Sequence, residues 1–263
     1  MSKPSPATRH TLTVVSNEAM TPDVMRMRFS CPELARSLEP GQFFDLAVPG
    51  DPRHLVRLPF SFSDVDVEKG EVEFGYLKVG EGTHRLADVK PGTQMDVLGP
   101  CGHGWRLPEG MKAALLVGGG SGVVPLVSLA RTLAQRGVAV DFVEGAASDK
   151  RVIFTRDLRG IGVRELQVAT NDGSVGVKGY ASVPTQELLD ANDYDVVYVC
   201  GPTPMMKGIA ELADKAGVAC QVSMEKMMTC GFGACATCVC DTTGGRKGAC
   251  MAGPVFDAKE VIW

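Results

Sequence analysis

The sequence predicts an antiparallel β-barrel, then a doubly wound parallel α/β sheet, then a small cysteine-rich C-terminal unit. Three observations carry this multidomain β + α/β reading. The first hundred residues hold short segments rich in β-branched and aromatic residues, separated by Gly, Pro or charged turns. From Ala113 short apolar strands alternate with segments of helical periodicity. After Val222 glycine and cysteine become dense, and five of the nine cysteines fall between Cys230 and Cys250.

The elements follow in chain order. "HTLTVVSNE", "VMRMRFSC", "QFFDLAVP" and "EVEFGYLKV" read as strands of the barrel. "GPCGHGWRLPEGMK" (Gly99–Lys112) is the expected junction. "AALLV" is a buried strand, "GGGSG" a turn, and "VVPLVSLARTLAQRG" a helix stopped by Gly137. "VAVDFVEG", "ELQVAT", "DVVYVCG" and "VACQV" are further strands, with helices in "VPTQELLDA" and "PMMKGIAELADKAG". The expected units are residues 1–104, 105–222 and 223–263.

With 263 residues, 44% hydrophobic and 22% charged, the chain can bury a large core without disulfide staples. "MSKPSPATRH" lacks the apolar stretch of a secretory signal, so a cytoplasmic location with reduced thiols is expected. A net charge of −4 without a basic stripe argues against nucleic-acid binding. The four histidines, His10, His54, His84 and His103, form no set with carboxylates that suggests a base or a metal site.

The cysteine spacing is Cys230-x4-Cys235-x2-Cys238, with eleven residues before Cys250. That is the plant-type arrangement for a [2Fe–2S] cluster, held by four thiolates. Structural zinc modules instead tend to pair C-x2-C twice. Gly231 and Gly233 let the loop wrap and turn N–H groups toward sulfur. Cys240 is the spare thiol, and Cys31, Cys101 and Cys220 read as small apolar residues.

"LLVGGGSGVVP" puts Gly118, Gly119, Gly120 and Gly122 between a strand and a helix, where a phosphate can approach backbone. "CGPTPMM" makes a second special loop, with Cys200, Gly201 and Pro202, at the same sheet edge. Together they predict a nucleotide crevice. Glu144, 22 residues past Gly122, can accept from a ribose 2′-OH and would repel a 2′-phosphate, which favours NAD. Nicotinamide carries a hydride, whereas a [2Fe–2S] centre takes one electron. A flavin does both, so FAD is expected between them, near "RLPFSFSD" and "GEGTHRL".

The chain resembles the electron-transfer subunits of type B dihydroorotate dehydrogenases, ferredoxin reductase-like flavoproteins. The resemblance rests on "LPFS", "GEGT", "LGPCGHG", "GGGSGVVPL", "NDGSVGVKG", "CGPTPMMK", "SMEKMMTCGFGACATCVC" and "CMAGPVF", nearly the whole chain. It implies an FAD-binding β-barrel, an NAD-binding α/β domain and a C-terminal [2Fe–2S] domain. It also implies that Leu58, Pro59, Phe60 and Ser61 lie along the flavin. Gly75, Tyr76 and Leu77 would be near its ribityl and phosphate portion, Gly82 and Thr83 at the pyrophosphate, and Cys200 where nicotinamide meets flavin. The family's arginine falls at Leu58 here, so Arg57, one residue earlier, or Arg85 is the expected phosphate cation. The implied partner is an FMN-containing dihydroorotate dehydrogenase catalytic subunit, in a heterotetramer. The alternative is a reductase subunit of another iron–sulfur flavoprotein complex, such as an NADPH–ferredoxin transhydrogenase or sulfide dehydrogenase. The tail residues Val255, Phe256, Ile262 and Trp263 are expected beside the docking face.

Overall fold

The computed structural model describes residues 7–47 and 57–263; His54 lies outside them. The N-terminal sheet contains β1 (Thr8–Ala19), β2 (Val24–Ser30), β3 (Phe43–Leu46), β4 (Leu58–Ser61), β5 (Asp64–Asp66), β6 (Glu71–Leu77) and β7 (Gln94–Cys101). Their order is β4-β3-β7-β1-β2-β6-β5, and every pairing is antiparallel. The sheet curls without closing. Phe60 of β4 lies 4.8 Å from Phe74 and 5.7 Å from Tyr76 of β6, so aromatic packing draws the two ends together where no ladder joins them. Phe29, Phe44, Phe74, Leu12 and Met27 fill the interior. Two short helices, α1 (Pro32–Ser37) and α2 (Glu81–Ala87), interrupt the strands. The α2 segment is "EGTHRLA" and the β7 strand is "QMDVLGPC", two elements that the sequence pattern alone does not mark.

The second sheet starts at β8 (Ala113–Gly119) and continues through β9 (Ala139–Ala146), β10 (Glu165–Thr170), β11 (Val177–Lys178), β12 (Val196–Cys200) and β13 (Ala219–Ser223). These strands are parallel, in the order β11-β10-β9-β8-β12-β13. Helices α3 (Val123–Gln135), α4 (Thr155–Ile161), α5 (Ser182–Ala191) and α6 (Thr203–Lys215) cover the two faces. Side chains alternate along β9: Phe142 joins the α3 and α4 layer, and Val143 joins the α5 and α6 layer.

The C-terminal segment forms the hairpin β14 (Val239–Thr242) and β15 (Gly245–Gly248), the short helix α7 (Ala249–Ala252) and β16 (Val255–Asp257). Strand β16 pairs antiparallel with β13, so the segment extends the parallel sheet and makes it mixed. It also meets the segment just after β7, where the His103 N–H donates to the Gly253 carbonyl at 2.6 Å. The first two units clasp through Arg26, which lies 5.0 Å over the Phe154 ring and pairs with Asp157 at 2.7 Å.

Candidate functional site

A cleft of about 350 Å³ opens where the three units meet. Leu58, Pro59, Phe60 and Ser61 of β4, with Gly75, Tyr76 and Leu77 of β6, line one wall; Phe43 and Thr83 complete it. The opposite wall is Ser121, Val124 and Pro125 at the start of α3, Cys200 at the end of β12, and Ser223–Lys226 after β13. Apolar Pro59, Val124, Met224 and Met228 beside polar Ser61, Thr83, Ser223 and Glu225 suit a planar ring system with polar edges. Gly75 is dictated by the domain clasp, because a Cβ there would come 3.1 Å from the Phe154 ring. Thr83 fixes the entry to α2: its hydroxyl accepts from the N–H groups of Val79 (3.0 Å) and Gly80 (3.1 Å). Burial pushes the Cys200 thiol well up, which keeps it neutral at the cleft wall. The Ser121 hydroxyl donates to the exposed Glu225 carboxylate at 3.4 Å.

A second cleft of about 610 Å³ lies at the carboxyl ends of the parallel strands. Gly119 and Gly120 at the end of β8, Gly145 to Ala147 at the end of β9, Asn171 after β10, and Pro202 and Met205 after β12 line it. The strand order reverses between β8 and β12, the switch point at which open α/β sheets leave a crevice. Arg151 and the exposed ring of Tyr180 border the same space.

The thiols form the third feature. Cys230, Cys235 and Cys238 sit on a loop in which Gly231 and Gly233 take φ of +74° and +87°. The eleven residues before Cys250 are mostly the β14–β15 hairpin, which brings the chain back so that the Ala249 N–H donates to the Cys238 carbonyl at 2.8 Å. The Cys250 N–H points at Cys238 Sγ, 3.4 Å away. The thiols neighbour one another as two pairs, Cys230 with Cys235 and Cys238 with Cys250. A [2Fe–2S] centre takes two thiolates per iron. Among the described residues, the trio of ligand-type atoms mutually within 4.8 Å is instead His10, Cys31 and Glu33, a grouping the sequence reading did not foresee. Hydrogen bonds from Thr237 lower the exposed Cys235 thiol to about 6. Burial pushes Cys250 up to about 12. Cys240 is buried on β14 and its thiol is raised by burial.

Family descriptions match each region: an oxidoreductase FAD-binding domain over residues 11–105, an oxidoreductase NAD-binding domain over 116–211, and the iron–sulfur cluster binding domain of dihydroorotate dehydrogenase B over 225–262. The dihydroorotate dehydrogenase B (NAD(+)) electron transfer subunit of Geobacillus thermodenitrificans is 40% identical over 261 residues, spanning 97% of this chain and 98% of that protein. The chain belongs to the dihydroorotate dehydrogenase B electron-transfer subunits. The Bacillus velezensis subunit of the same name is 42% identical over 95% of this chain and 97% of that protein. Among solved structures, an NADH-dependent reduced ferredoxin–NADP oxidoreductase matches with TM-score 0.87 at 31% identity, over 95% of this chain and 89% of that one. The ferredoxin reductase of carbazole 1,9a-dioxygenase, at 20% identity and TM-score 0.69, covers 81% of this chain and 67% of that one and shares the fold. The cofactors of this electron-transfer subunit are FAD and a [2Fe–2S] cluster, with NAD(H) as its nucleotide substrate.

Several sequence expectations need correction in this electron-transfer subunit. Glu144 does not face the nucleotide cleft. It is fully buried on the α4 side of β9, where its carboxylate accepts from the Ile153 N–H (2.7 Å) and the Thr155 hydroxyl (3.2 Å). Its task is to hold the segment entering α4, so the argument for NAD over NADP from this carboxylate falls. Glu144→Gln should therefore leave the NADH to NADPH rate ratio unchanged in stopped-flow flavin reduction, while costing about 1–3 kcal/mol of stability in a melt. A ratio moving toward NADPH would restore the sequence expectation. Arg57 is not in the flavin-side wall; it is ion-paired with Asp96. Arg85 pairs with Glu81 within α2. Among the described residues, the cation lining that cleft is Lys226, on the opposite wall and within the "SMEKMMTC" stretch. Gly82 lies on α2, outside both linings. Gly122 and Gly201 also line neither cleft. They are packing glycines: a Cβ on Gly122 would come 2.3 Å from the Cys200 carbonyl oxygen, and one on Gly201 would come 3.0 Å from the Gly119 oxygen.

No helix among the described residues is long and apolar enough to cross a membrane.

Proposed function

We propose that this chain carries electrons between a dihydroorotate-oxidising catalytic subunit and NAD. The observation that carries this reading is full-length identity of 40% and 42% with subunits of that name, joined to two clefts and a thiol loop in one molecule. Bound FAD supplies the exchange between two-electron hydride chemistry and one-electron iron–sulfur chemistry. Cys230, Cys235, Cys238 and Cys250 hold the cluster, supported by their pairing in twos. Leu58–Ser61, Gly75–Leu77 and Thr83 hold the flavin, supported by their shared cleft wall. Gly119, Gly120 and Pro202 border the nucleotide, and Cys200 keeps a neutral thiol where the two cofactors meet. The units 1–104, 105–222 and 223–263 serve FAD, NAD and cluster in turn.

The partner is an FMN-bearing dihydroorotate dehydrogenase subunit in the cytoplasm, and two heterodimers pair into a heterotetramer. Support for the docking face comes from exposed apolar side chains on and around the cluster loop: Met227 (80% exposed), Phe232 (54%) and Met251 (45%). In the tail, Val255 and Phe256 are buried, whereas Ile262 (59% exposed) and Trp263 (36%) are exposed, Trp263 near Ala210, Val218 and Cys220 on the α6 side. Nine cysteines without a disulfide fit a reducing compartment. Coexpression with the catalytic subunit of the same organism is expected to yield a stable complex with NAD-dependent dihydroorotate oxidation. Failure to co-purify, with flavin and cluster loaded, would end this assignment. One observation favours the second reading, a transhydrogenase-type reductase subunit: the 0.87 TM-score match to the ferredoxin–NADP oxidoreductase. That reading expects the loaded chain to pair with a ferredoxin-oxidising subunit instead.

A further inference from the structure

Asp45 lies on β3, the second strand of the first sheet, between the edge strand β4 and β7. It is 1% exposed, and neither carboxylate oxygen has a hydrogen-bond partner. An orphaned buried carboxylate is costly, so such a group calls for a specific reason. Its surroundings supply one. The carboxylate presses on Gly231, directly after Cys230 in the thiol loop: a Cβ at Gly231 would come 1.7 Å from Asp45 Oδ2. Only glycine, in its left-handed conformation, lets this loop settle onto that oxygen. Strand alternation puts Phe43 on the same face of β3 as Asp45, while Phe44 and Leu46 enter the barrel core. Phe43 lines the flavin-side cleft and packs in one apolar cluster with Cys238 and Cys250. One strand thus touches both redox regions, and Asp45 is its charged member. The groups whose charge it feels are Arg57, which is itself paired with Asp96, and the thiols of Cys235 and Cys101.

We propose that Asp45 is a positioning residue that seats the cysteine loop and, through its charge, holds down the reduction potential of the [2Fe–2S] cluster. The reason is electrostatic. An anion in a buried, low-dielectric setting opposes the arrival of an electron at a nearby centre, and cluster potentials follow net charge and hydrogen bonding. The inference rests on the assignment of Cys230, Cys235, Cys238 and Cys250 as ligands. Loading is therefore scored separately, from iron content and visible absorbance, and no partner subunit or dihydroorotate is needed.

The test is an EPR-monitored redox titration of the full chain loaded with FAD and cluster. It is run in alkaline buffer, because burial raises the Asp45 carboxyl and only the ionised form carries the charge. Asp45→Asn, which removes the charge at constant shape, should titrate at a higher potential than the parent. Asp45→Glu, which keeps the charge, should stay at the low side. Both variants at the parent potential with full iron, or both shifted upward alike as a pure packing defect would produce, overturns the proposal. Should Asp45→Asn fail to load its cluster, Asp45→Ser decides. It also removes the charge, so its loaded cluster should titrate above the parent, and a parent-like or lower potential overturns the proposal.

Discussion

Cys238→Ser is expected to strip the cluster from the protein, taking with it the visible absorbance, the acid-labile sulfide and about two irons per chain. Cys238 is buried, receives the Cys250 N–H on its sulfur and faces the Cys250 thiol across one of the two pairs. A serine oxygen there is harder and shorter, and thiolate is what iron–sulfur centres select. The effect should exceed the ~10–100-fold loss of affinity that follows removal of a mere supporting contact. Cys230→Ser, Cys235→Ser and Cys250→Ser should behave alike. Cys240→Ser is the control, since its thiol is buried on β14 and belongs to neither pair. Its cluster should remain, with full iron content. A loaded cluster in Cys238→Ser, or an iron-free Cys240→Ser, would overturn the ligand set. Stoichiometric zinc without sulfide in the parent protein would overturn the two-iron reading altogether.

Gly122→Ala should cripple flavin reduction by NADH while leaving the cluster in place. The added methyl meets the Cys200 carbonyl oxygen at 2.3 Å and its carbon at 2.4 Å, both backbone atoms that cannot rotate away. The β8–α3 turn must then lift off the β12–α6 turn. Each of these turns borders one or both clefts, through Gly119, Gly120 and Ser121 on one side and Cys200 and Pro202 on the other. Overpacking of this kind costs about 1–3 kcal/mol. A displacement of about 1 Å between reacting groups costs on the order of 10²-fold in rate. Stopped-flow bleaching of the flavin, with iron content measured in parallel, reads both outcomes. Gly160→Ala is the matched control: it sits in α4 with open space around its Cα, so it should gain about 0.5–1 kcal/mol from helix propensity and keep the parent rate. Parent-like bleaching in Gly122→Ala would show that the two turns need not touch.

Glu144 and Gly122 illustrate how a correct motif can carry a mistaken role. The glycine-rich turn and the acidic strand end were both visible in the chain, and a nucleotide cleft lies beside them. Which face of β9 a side chain takes depends on sheet register, and one residue of shift exchanges the faces. Here even-numbered Val140 and Phe142 enter the α3 and α4 layer, so Glu144 follows them inward to Ile153 and Thr155. Arg57 has the same kind of explanation. Its place beside "LPFS" was legible, but its ion pair with Asp96 requires β7, a strand far away in sequence.

The sequence by itself determined the order of the three units, the identity of the thiol loop and the need for a flavin. These depend on local spacing and on electron counting. The C-x4-C-x2-C arrangement, the strand-to-helix glycine turns and the alternation of β with α are all short-range features of the chain. Tertiary structure alone decided how the cysteines divide into pairs, because the β14–β15 hairpin must fold before Cys250 can meet Cys238. It alone joined the C-terminal segment to the second sheet through β13 and β16. It also placed the carboxylate of Asp45 under Gly231, across 186 residues of sequence. Contacts of that range arise from the packing of one unit on another, and no periodicity within a single segment encodes them.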